Sequence, residues 1–108
     1  PGSAAHTAAR AAGLPAIAEA FADRAYDRHG RLVPRDRPGA VIADPAAVMA
    51  RAVRIAAEHT VETIDGELIE LEAQTLCVHG DSPGSVDLAR AIRAGLERAG
   101  FTLTACCR

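Results

Sequence analysis

The sequence is poor in large side chains, and this limits the core that it can build. Aromatic residues make up only 3% of the 108 residues, and 25 residues are alanine, although 49% of the chain is hydrophobic. A core made largely of alanine can be buried, but it gains from packing against apolar surface outside the chain. Lysine is absent, and all twelve basic residues are arginine. Together with the alanine content, this indicates a GC-rich coding sequence rather than a function.

Several classes of protein are excluded by what the sequence lacks. The net charge of −2 gives no basic footprint for nucleic acid. The cysteines, Cys77, Cys106 and Cys107, have the spacing neither of metal ligands nor of a disulfide framework. No signal peptide or apolar run of membrane length is present, so a cytoplasmic location without membrane association is expected. Glycine-rich phosphate loops and the serine-hydrolase motif are also missing.

A short apolar run at residues 74–78 predicts a buried strand, because Gly80 and Pro83 bound it. An amphipathic helix is expected to follow, with Ser82 as its N-cap, Pro83 at its first position and an end near Ala99. The order of strand, turn and helix is typical of a parallel α/β fold.

His79 and Asp81 lie in the turn between that strand and that helix. In parallel α/β folds, ligands bind beyond the carboxyl ends of the strands, in loops of this kind. An imidazole and a carboxylate two residues apart can share acid–base chemistry near neutral pH, and the N–H groups of a helix start can hold an anion. For His-Gly-Asp taken alone, the structural alternative is favoured: Asp81 caps the helix and His79 bonds the backbone.

Residues 22–40 are predicted to form a long loop after a weak strand at residues 16–21. The loop holds five arginines, at positions 24, 28, 31, 35 and 37, interleaved with aspartates. A loop this long is usually functional or disordered, and the apolar pairs Leu32-Val33 within it and Val41-Ile42 just after it argue for order. Arginine suits bidentate binding of carboxylate or phosphate. We expect a function for Arg24, whereas Arg28, Arg31 and Arg37 are as well explained by solvated ion pairs.

The remaining stretches predict further local elements. These are a helix at 3–12, a helix from Asp44-Pro45 to residue 58 or 59, a hairpin at 61–71 over the Asp65-Gly66 turn, and a last strand at 101–104. Glutamates alternate with apolar residues in the hairpin, so we expect it to decorate the core rather than to belong to it. The chain opens at a helix cap with no strand before it, which is expected of a segment of a larger α/β unit.

Three blocks of this sequence resemble the LamB/YcsF family, the A subunit of the bacterial ATP-dependent 5-oxoprolinase. Residues 19–26, Glu-Ala-Phe-Ala-Asp-Arg-Ala-Tyr, are similar to the family's E-V-F-A-D-R-x-Y. The second block covers residues 30–35 and 38–42. Residues 74–81 are similar to the family's T-x-C-V-H-G-D. The blocks occur in the family's order with similar spacing, and they cover nearly the whole chain.

The resemblance implies an α/β fold, the C-terminal part of a distorted (β/α) barrel of the glycoside hydrolase/deacetylase type. Residues 1–108 would be one segment of a single barrel domain whose N-terminal half is absent. The implied reaction opens 5-oxoproline to L-glutamate, with ATP as co-substrate and subunits B and C as partners. The family's blocks D-x-N-x-D-x-G-E, A-C-G-F-H-A-G-D, H-P-x-x-x-D and K-P-H-G-A-L-Y are missing. Because a complete barrel needs about 250 residues, this chain alone is expected to be inactive.

Within this resemblance, the site residues are assigned from the chemistry of their side chains. The catalytic residues would be His79 and Asp81, and the substrate-binding residues Glu19, Asp23, Arg24 and Arg35, with no metal ligand predicted. The first three substrate-binding residues are expected at the carboxyl end of one strand, and the catalytic pair at the end of another. Arg24 would hold the substrate carboxylate or a phosphate. The alternatives are a truncated, non-catalytic remnant or complementing fragment, and a module that binds a small anion without turnover.

Overall fold

The computed structural model describes residues 4–79 and 84–104, and within them it shows a mixed α/β fold. The elements in chain order are α1 (Ala4–Ala11), β1 (Glu19–Phe21), α2 (Pro45–Glu58), β2 (Thr60–Glu62), β3 (Leu68–Glu70), β4 (Thr75–Cys77) and α3 (Ser85–Arg98). The α/β class is confirmed. No helix in this part of the chain is long and apolar enough to cross a membrane.

β1 and β4 pair in parallel, with Ala20 opposite Leu76 and Phe21 opposite Cys77. Both strands were predicted, and each is shorter than its predicted range. A parallel pair requires a long crossover connection, and here the crossover contains α2 and the β2–β3 hairpin. The carboxyl ends of β1 and β4 therefore lie side by side, so the residues that follow each strand come close together.

β2 and β3 form the predicted antiparallel hairpin, with Val61 opposite Ile69. Gly66 in the turn has a φ of 89°, a conformation that favours glycine. The expectation that the hairpin only decorates the core is wrong. Val61 and Leu71 are buried in the same cluster as Tyr26. The alternating pattern exposes one face of the hairpin, and its other face packs on the core.

α2 begins as predicted, because the side chain of Asp44 accepts a hydrogen bond from the Ala46 N–H at 3.3 Å. Val48, Ala52 and Ile55 are its buried residues. At its other end, His59 adopts the left-handed conformation with a φ of 55°. His59 therefore ends the helix through its backbone, a role that the sequence did not indicate.

α3 begins at Ser85 after Gly84, whose φ is 81°, and no side chain in the described part of the chain caps it. The predicted cap Ser82 and the predicted first helical residue Pro83 both lie outside the described residues. A Cβ on Gly95 would lie 2.7 Å from Met49 Cγ, so this glycine allows α3 to approach α2 closely. Ile92 and Leu96 complete the apolar contact between the two helices.

Gly100 ends α3 with a φ of 96°, as predicted, and the Phe101 N–H donates to the Leu96 carbonyl at 3.0 Å. Residues 101–104 form no strand, so the predicted last strand is wrong. Instead, Phe101 packs against the cluster between the helices.

The long loop is ordered by its own backbone hydrogen bonds. The Ala25 N–H donates to the Ala40 carbonyl at 2.8 Å, and the Val33 N–H donates to the Ala25 carbonyl at 3.0 Å. Ala25, Val33 and Ala40 form a small separate core. The prediction of an ordered loop is confirmed, and its first residues are fixed where they leave β1.

Candidate active site at the ends of the parallel strands

An aspartate and a histidine meet where the parallel strands end. Asp23 lies two residues after β1, and His79 lies two residues after β4. His79 Nδ1 is 2.9 Å from Asp23 Oδ2, and the His79 backbone N–H donates to the same oxygen at 3.2 Å. The parallel register, with Phe21 opposite Cys77, explains this meeting, because it places residues 23 and 79 at equivalent positions.

The hydrogen bond determines which nitrogen of His79 is available for chemistry. An ionised carboxylate only accepts, so His79 Nδ1–H is the donor of this hydrogen bond. In the neutral imidazole, Nε2 then keeps its lone pair and can take a proton from a bound group. The ring of Phe21 stacks on the imidazole, with centroids 5.5 Å apart and an interplanar angle of 17°. Asp23 and Phe21 together hold the ring in one orientation.

Two buried polar atoms of the site lack hydrogen-bond partners among residues 4–79 and 84–104. Asp23 is 7% exposed, and its Oδ1 has no partner there. Arg24 is 8% exposed, and its Nη2 donates to the Val33 carbonyl at 2.9 Å while its Nε has no partner there. Burying a polar group without a hydrogen bond is costly. An acceptor and a donor on adjacent residues are thus left for a ligand or for another part of the protein.

A cavity of about 190 Å³ brings these residues together. Its polar lining includes Asp23, Arg24, Arg35 and His79, and Val41, Ile42 and Leu88 contribute apolar walls. Sites for drug-sized ligands usually measure about 300–1,000 Å³, so this cavity suits a small molecule. Two cationic side chains, a carboxylate and an imidazole on apolar walls can bind a small anionic substrate and move a proton on it.

Four of the six predicted site residues therefore share one cavity, and a fifth, Glu19, does not line it. Glu19 is the first residue of β1, at the opposite end of the strand from Asp23, and it lines a separate cavity of about 900 Å³. The expectation that Glu19 lies at the carboxyl end of the strand is wrong, because the strand is short and begins at this residue. Asp81 lies outside the described residues. The other loop arginines, Arg28, Arg31 and Arg37, are exposed.

Arg51 was missed by the sequence analysis. It lies on α2, and its guanidinium donates to three backbone carbonyls, those of Ala22 at 3.1 Å, Arg24 at 2.8 Å and Glu62 at 3.1 Å. Burial lowers the pKa of Arg51 from its ordinary value. The position of Arg51 in the sequence could have indicated its role. It comes three residues after Val48 and four before Ile55, and this spacing places a cation beside the buried face of the helix.

Cys77 is the last residue of β4, next to the site. Burial raises the pKa of its thiol, and the nearby carboxylates of Glu19 and Asp23 raise it further. The group therefore stays a thiol near neutral pH, which does not favour a nucleophilic role. No three His, Cys, Asp or Glu side chains in the described ranges are grouped so as to hold a metal ion.

The sequence and the fold are both similar to known proteins. The profile of the LamB/YcsF family matches residues 1–108. The 5-oxoprolinase A subunit of Kocuria rhizophila is 52% identical over 103 residues, which cover 95% of this chain and 41% of that protein. The 5-oxoprolinase A subunit of Thermus thermophilus is 46% identical, over 97% of this chain and 42% of that protein.

A crystal structure of the lactam utilization protein from Thermus thermophilus superimposes with a TM-score of 0.91 at 44% identity. The match covers 97% of this chain and 41% of that one. This chain thus spans about two-fifths of the length of the relatives that it matches.

Proposed function

Because this chain belongs to the LamB/YcsF family, we propose that it is part of the A subunit of a 5-oxoprolinase. The complete subunit, with subunits B and C, would open the lactam of 5-oxoproline to L-glutamate, coupled to ATP hydrolysis in the cytoplasm. The activity is assigned to the complete subunit, and this segment alone is expected to be inactive. The segment would supply the C-terminal part of a distorted (β/α) barrel, with β1 and β4 as neighbouring strands of its wall.

The observation that carries the proposal is the hydrogen bond between His79 and Asp23 at the ends of two parallel strands. Opening a lactam with water requires a proton to leave the water as it attacks the carbonyl. A proton must also reach the ring nitrogen as the carbon–nitrogen bond breaks. His79 Nε2 can take the first proton and return one to the nitrogen, while Asp23 stabilises the imidazolium. ATP is a co-substrate in this proposal, and none of these proton transfers passes through it.

The two unpartnered atoms of the site support binding of a lactam or a carboxylate. Asp23 Oδ1 can accept a hydrogen bond from an amide N–H, and Arg24 Nε–H can donate to a carbonyl or carboxylate oxygen. Arg35 lines the same cavity and adds positive charge, which suits the carboxylate of 5-oxoproline. Asp81 keeps its predicted role as an aid to proton transfer. The paired Asp23 and His79 argue against the non-catalytic alternatives, a remnant or a simple anion-binding module.

The test uses the full-length subunit with its partner subunits, and it measures ATP-dependent release of glutamate from 5-oxoproline. Asp23→Asn keeps the shape of the side chain but removes the charge that stabilises the imidazolium. We expect turnover to fall by about 10²- to 10⁴-fold, the usual contribution of general acid–base catalysis.

Asp27→Asn is the matched control, because Asp27 lies four residues further along the same loop and its carboxylate accepts from the N–H groups of two exposed loop residues, His29 and Arg31. We expect this variant to keep full turnover. Unchanged turnover in Asp23→Asn would remove the Asp23–His79 pair from the site. A wild-type complex without ATP-dependent opening of 5-oxoproline would overturn the function itself.

A further inference from the structure

We infer that Arg51 is a positioning residue that holds Asp23 in place to orient His79. The inference deepens the proposed function and depends on it for its catalytic consequence. Arg51 lies on α2, far in sequence from both members of the pair. It acts through the backbone, since no carboxylate in the described part of the chain lies within ion-pair distance of it.

Arg51 donates hydrogen bonds to the backbone carbonyls of the two residues on either side of Asp23. Its Nε donates to the Ala22 carbonyl at 3.1 Å, and its Nη2 donates to the Arg24 carbonyl at 2.8 Å. The Asp23 carbonyl between them accepts from the Ile42 N–H at 2.9 Å. Three consecutive carbonyls beyond the end of β1 are therefore held, two of them by one side chain.

This arrangement determines where the carboxylate of Asp23 points. The φ and ψ of Asp23 together relate the two peptide planes on either side of its Cα. Arg51 fixes the first plane through the Ala22 carbonyl, and Ile42 fixes the second. With both planes held, the direction of the Cα–Cβ bond of Asp23 is fixed, and from that position its carboxylate contacts His79 Nδ1. Without Arg51, the bonds to two of the three carbonyls are lost.

The third bond of Arg51 connects this region to the hairpin. Its Nη1 donates to the carbonyl of Glu62, the last residue of β2, at 3.1 Å. A planar guanidinium can bridge three carbonyls because its donors point outwards in a fixed fork. Lysine has a single ammonium on a flexible stem and cannot span the same three positions. Arg51→Lys is thus a change of geometry at constant charge.

The experiment compares Arg51→Met and Arg51→Lys with wild type in the full-length protein, using ¹⁵N NMR of labelled histidines to read the His79 tautomer. The His79 signals are assigned with His79→Gln. Wild type should show the Nδ1-protonated form, because Asp23 accepts that proton. Arg51→Met should shift His79 towards the Nε2-protonated form that a free histidine side chain prefers, and Arg51→Lys should give an intermediate mixture.

A kinetic readout accompanies the spectra. Misplacing a catalytic group costs about 10- to 100-fold in rate, so kcat of Arg51→Met should fall by this factor while KM changes little. The matched control is Arg54→Met, on the same helix, where Arg54 forms an exposed pair with Glu58 at 3.4 Å. It should keep both the tautomer and kcat.

The tautomer separates positioning from a merely structural role. If Arg51→Met lowers the melting temperature but His79 stays Nδ1-protonated in the folded protein, the inference is overturned. If Arg51→Met does not fold, Arg51→Lys serves as the test. A wild-type tautomer together with an unchanged kcat in Arg51→Lys would also overturn the inference. The spectra do not depend on the reaction, so they can support the positioning role even if wild type does not open 5-oxoproline.

Discussion

The parallel pair β1–β4 and the hairpin β2–β3 each pair three residues of one strand with three of the other, but they have different roles in the protein. The hairpin joins near neighbours in sequence and contributes Val61 to the core. The parallel pair brings together Asp23 and His79, which are 56 residues apart. In a parallel pair both chains leave at the same edge, so polar residues that follow the two strands meet. In a hairpin, the turn connects the end of the first strand directly to the start of the second. In this chain, the turn residues Asp65 and Gly66 are exposed.

Arg51 connects these two regions, since it bonds the end of β2 as well as the segment after β1. The hairpin therefore supports the site without lining the described part of its cavity. We expect changes at the end of the parallel pair to affect turnover more than stability. Changes in the hairpin should affect stability more than turnover.

The largest expected effect is on turnover, at the parallel pair. His79→Gln should reduce turnover of the full-length complex by about 10²- to 10⁴-fold, since it removes the imidazole that takes and returns the proton. Combining it with Asp23→Asn should add little, because residues that act as one unit lose most of their effect when either is removed. Steady-state kinetics of the two single variants and the double variant test this. Fully multiplicative losses would show that the two residues act independently.

The next effect is on stability, in the hairpin. Val61 is 1% exposed, so Val61→Ala leaves a small cavity and should lower the free energy of unfolding by about 2 kcal/mol. Leu68 lies in the same hairpin and is 61% exposed, and Leu68→Ala should cost under about 0.5 kcal/mol. Denaturant unfolding of the full-length protein measures both. A large loss of kcat in folded Val61→Ala would contradict the expectation that changes in the hairpin affect stability more than turnover.

A smaller effect is expected at the junction between α2 and β2. His59 holds a φ of 55°, which is unfavourable for a residue with a Cβ, and its carbonyl accepts from the Leu71 N–H at 2.7 Å. His59→Gly should stabilise the protein by about 0.5–1 kcal/mol, because glycine adopts this conformation without strain. His59→Ala keeps the Cβ and should bring no such gain. Thermal unfolding compares the two, and equal midpoints would contradict the strain argument.

The smallest effect is local and depends on pH. The Arg31 and His29 N–H groups donate to Asp27 Oδ1, and the bond from Arg31 is the main reason that the pKa of Asp27 lies below its ordinary value of 3.8. Because the folded pKa is the lower one, these bonds contribute stability above about pH 4 and lose it as the pH falls through the folded value.

The amide resonances of His29 and Arg31 should report this titration in NMR spectra recorded at decreasing pH. Their common midpoint should lie below 3.8, the ordinary value for Asp27. Asp27→Asn removes the titrating group and should abolish the transition. A midpoint at or above that value would contradict the assigned hydrogen bonds.

Elements with strong local signals were predicted well. Asp44-Pro45 marked the start of α2, and Asp65-Gly66 marked the hairpin turn, because a cap or a turn involves only residues that are close in sequence. Predictions that needed knowledge of distant partners were weaker. Residues 101–104 were expected to form a strand, but Phe101 packs on the helix cluster instead. The hairpin was placed outside the core because its pattern does not show what covers its apolar face.

The candidate site was partly predictable for the same reason. Asp23, Arg24 and His79 follow apolar segments directly, and the rule that ligands bind beyond strand ends applies to them. Glu19 was misplaced because the start of a three-residue strand has no local signal. Arg51 was overlooked because its hydrogen bonds all go to backbone carbonyls, which leave no trace in the pattern of side chains.

The class of fold, the family resemblance and most local elements can be inferred from the sequence, since each depends on neighbouring residues or on longer matching blocks. The meeting of Asp23 and His79, the separate place of Glu19 and the bonds of Arg51 around Asp23 are evident only in the folded chain. The meeting of Asp23 and His79 follows from the parallel register of β1 and β4. The pairing of two strands this far apart in sequence depends on how the whole crossover between them packs. No local stretch of the sequence therefore predicts this register.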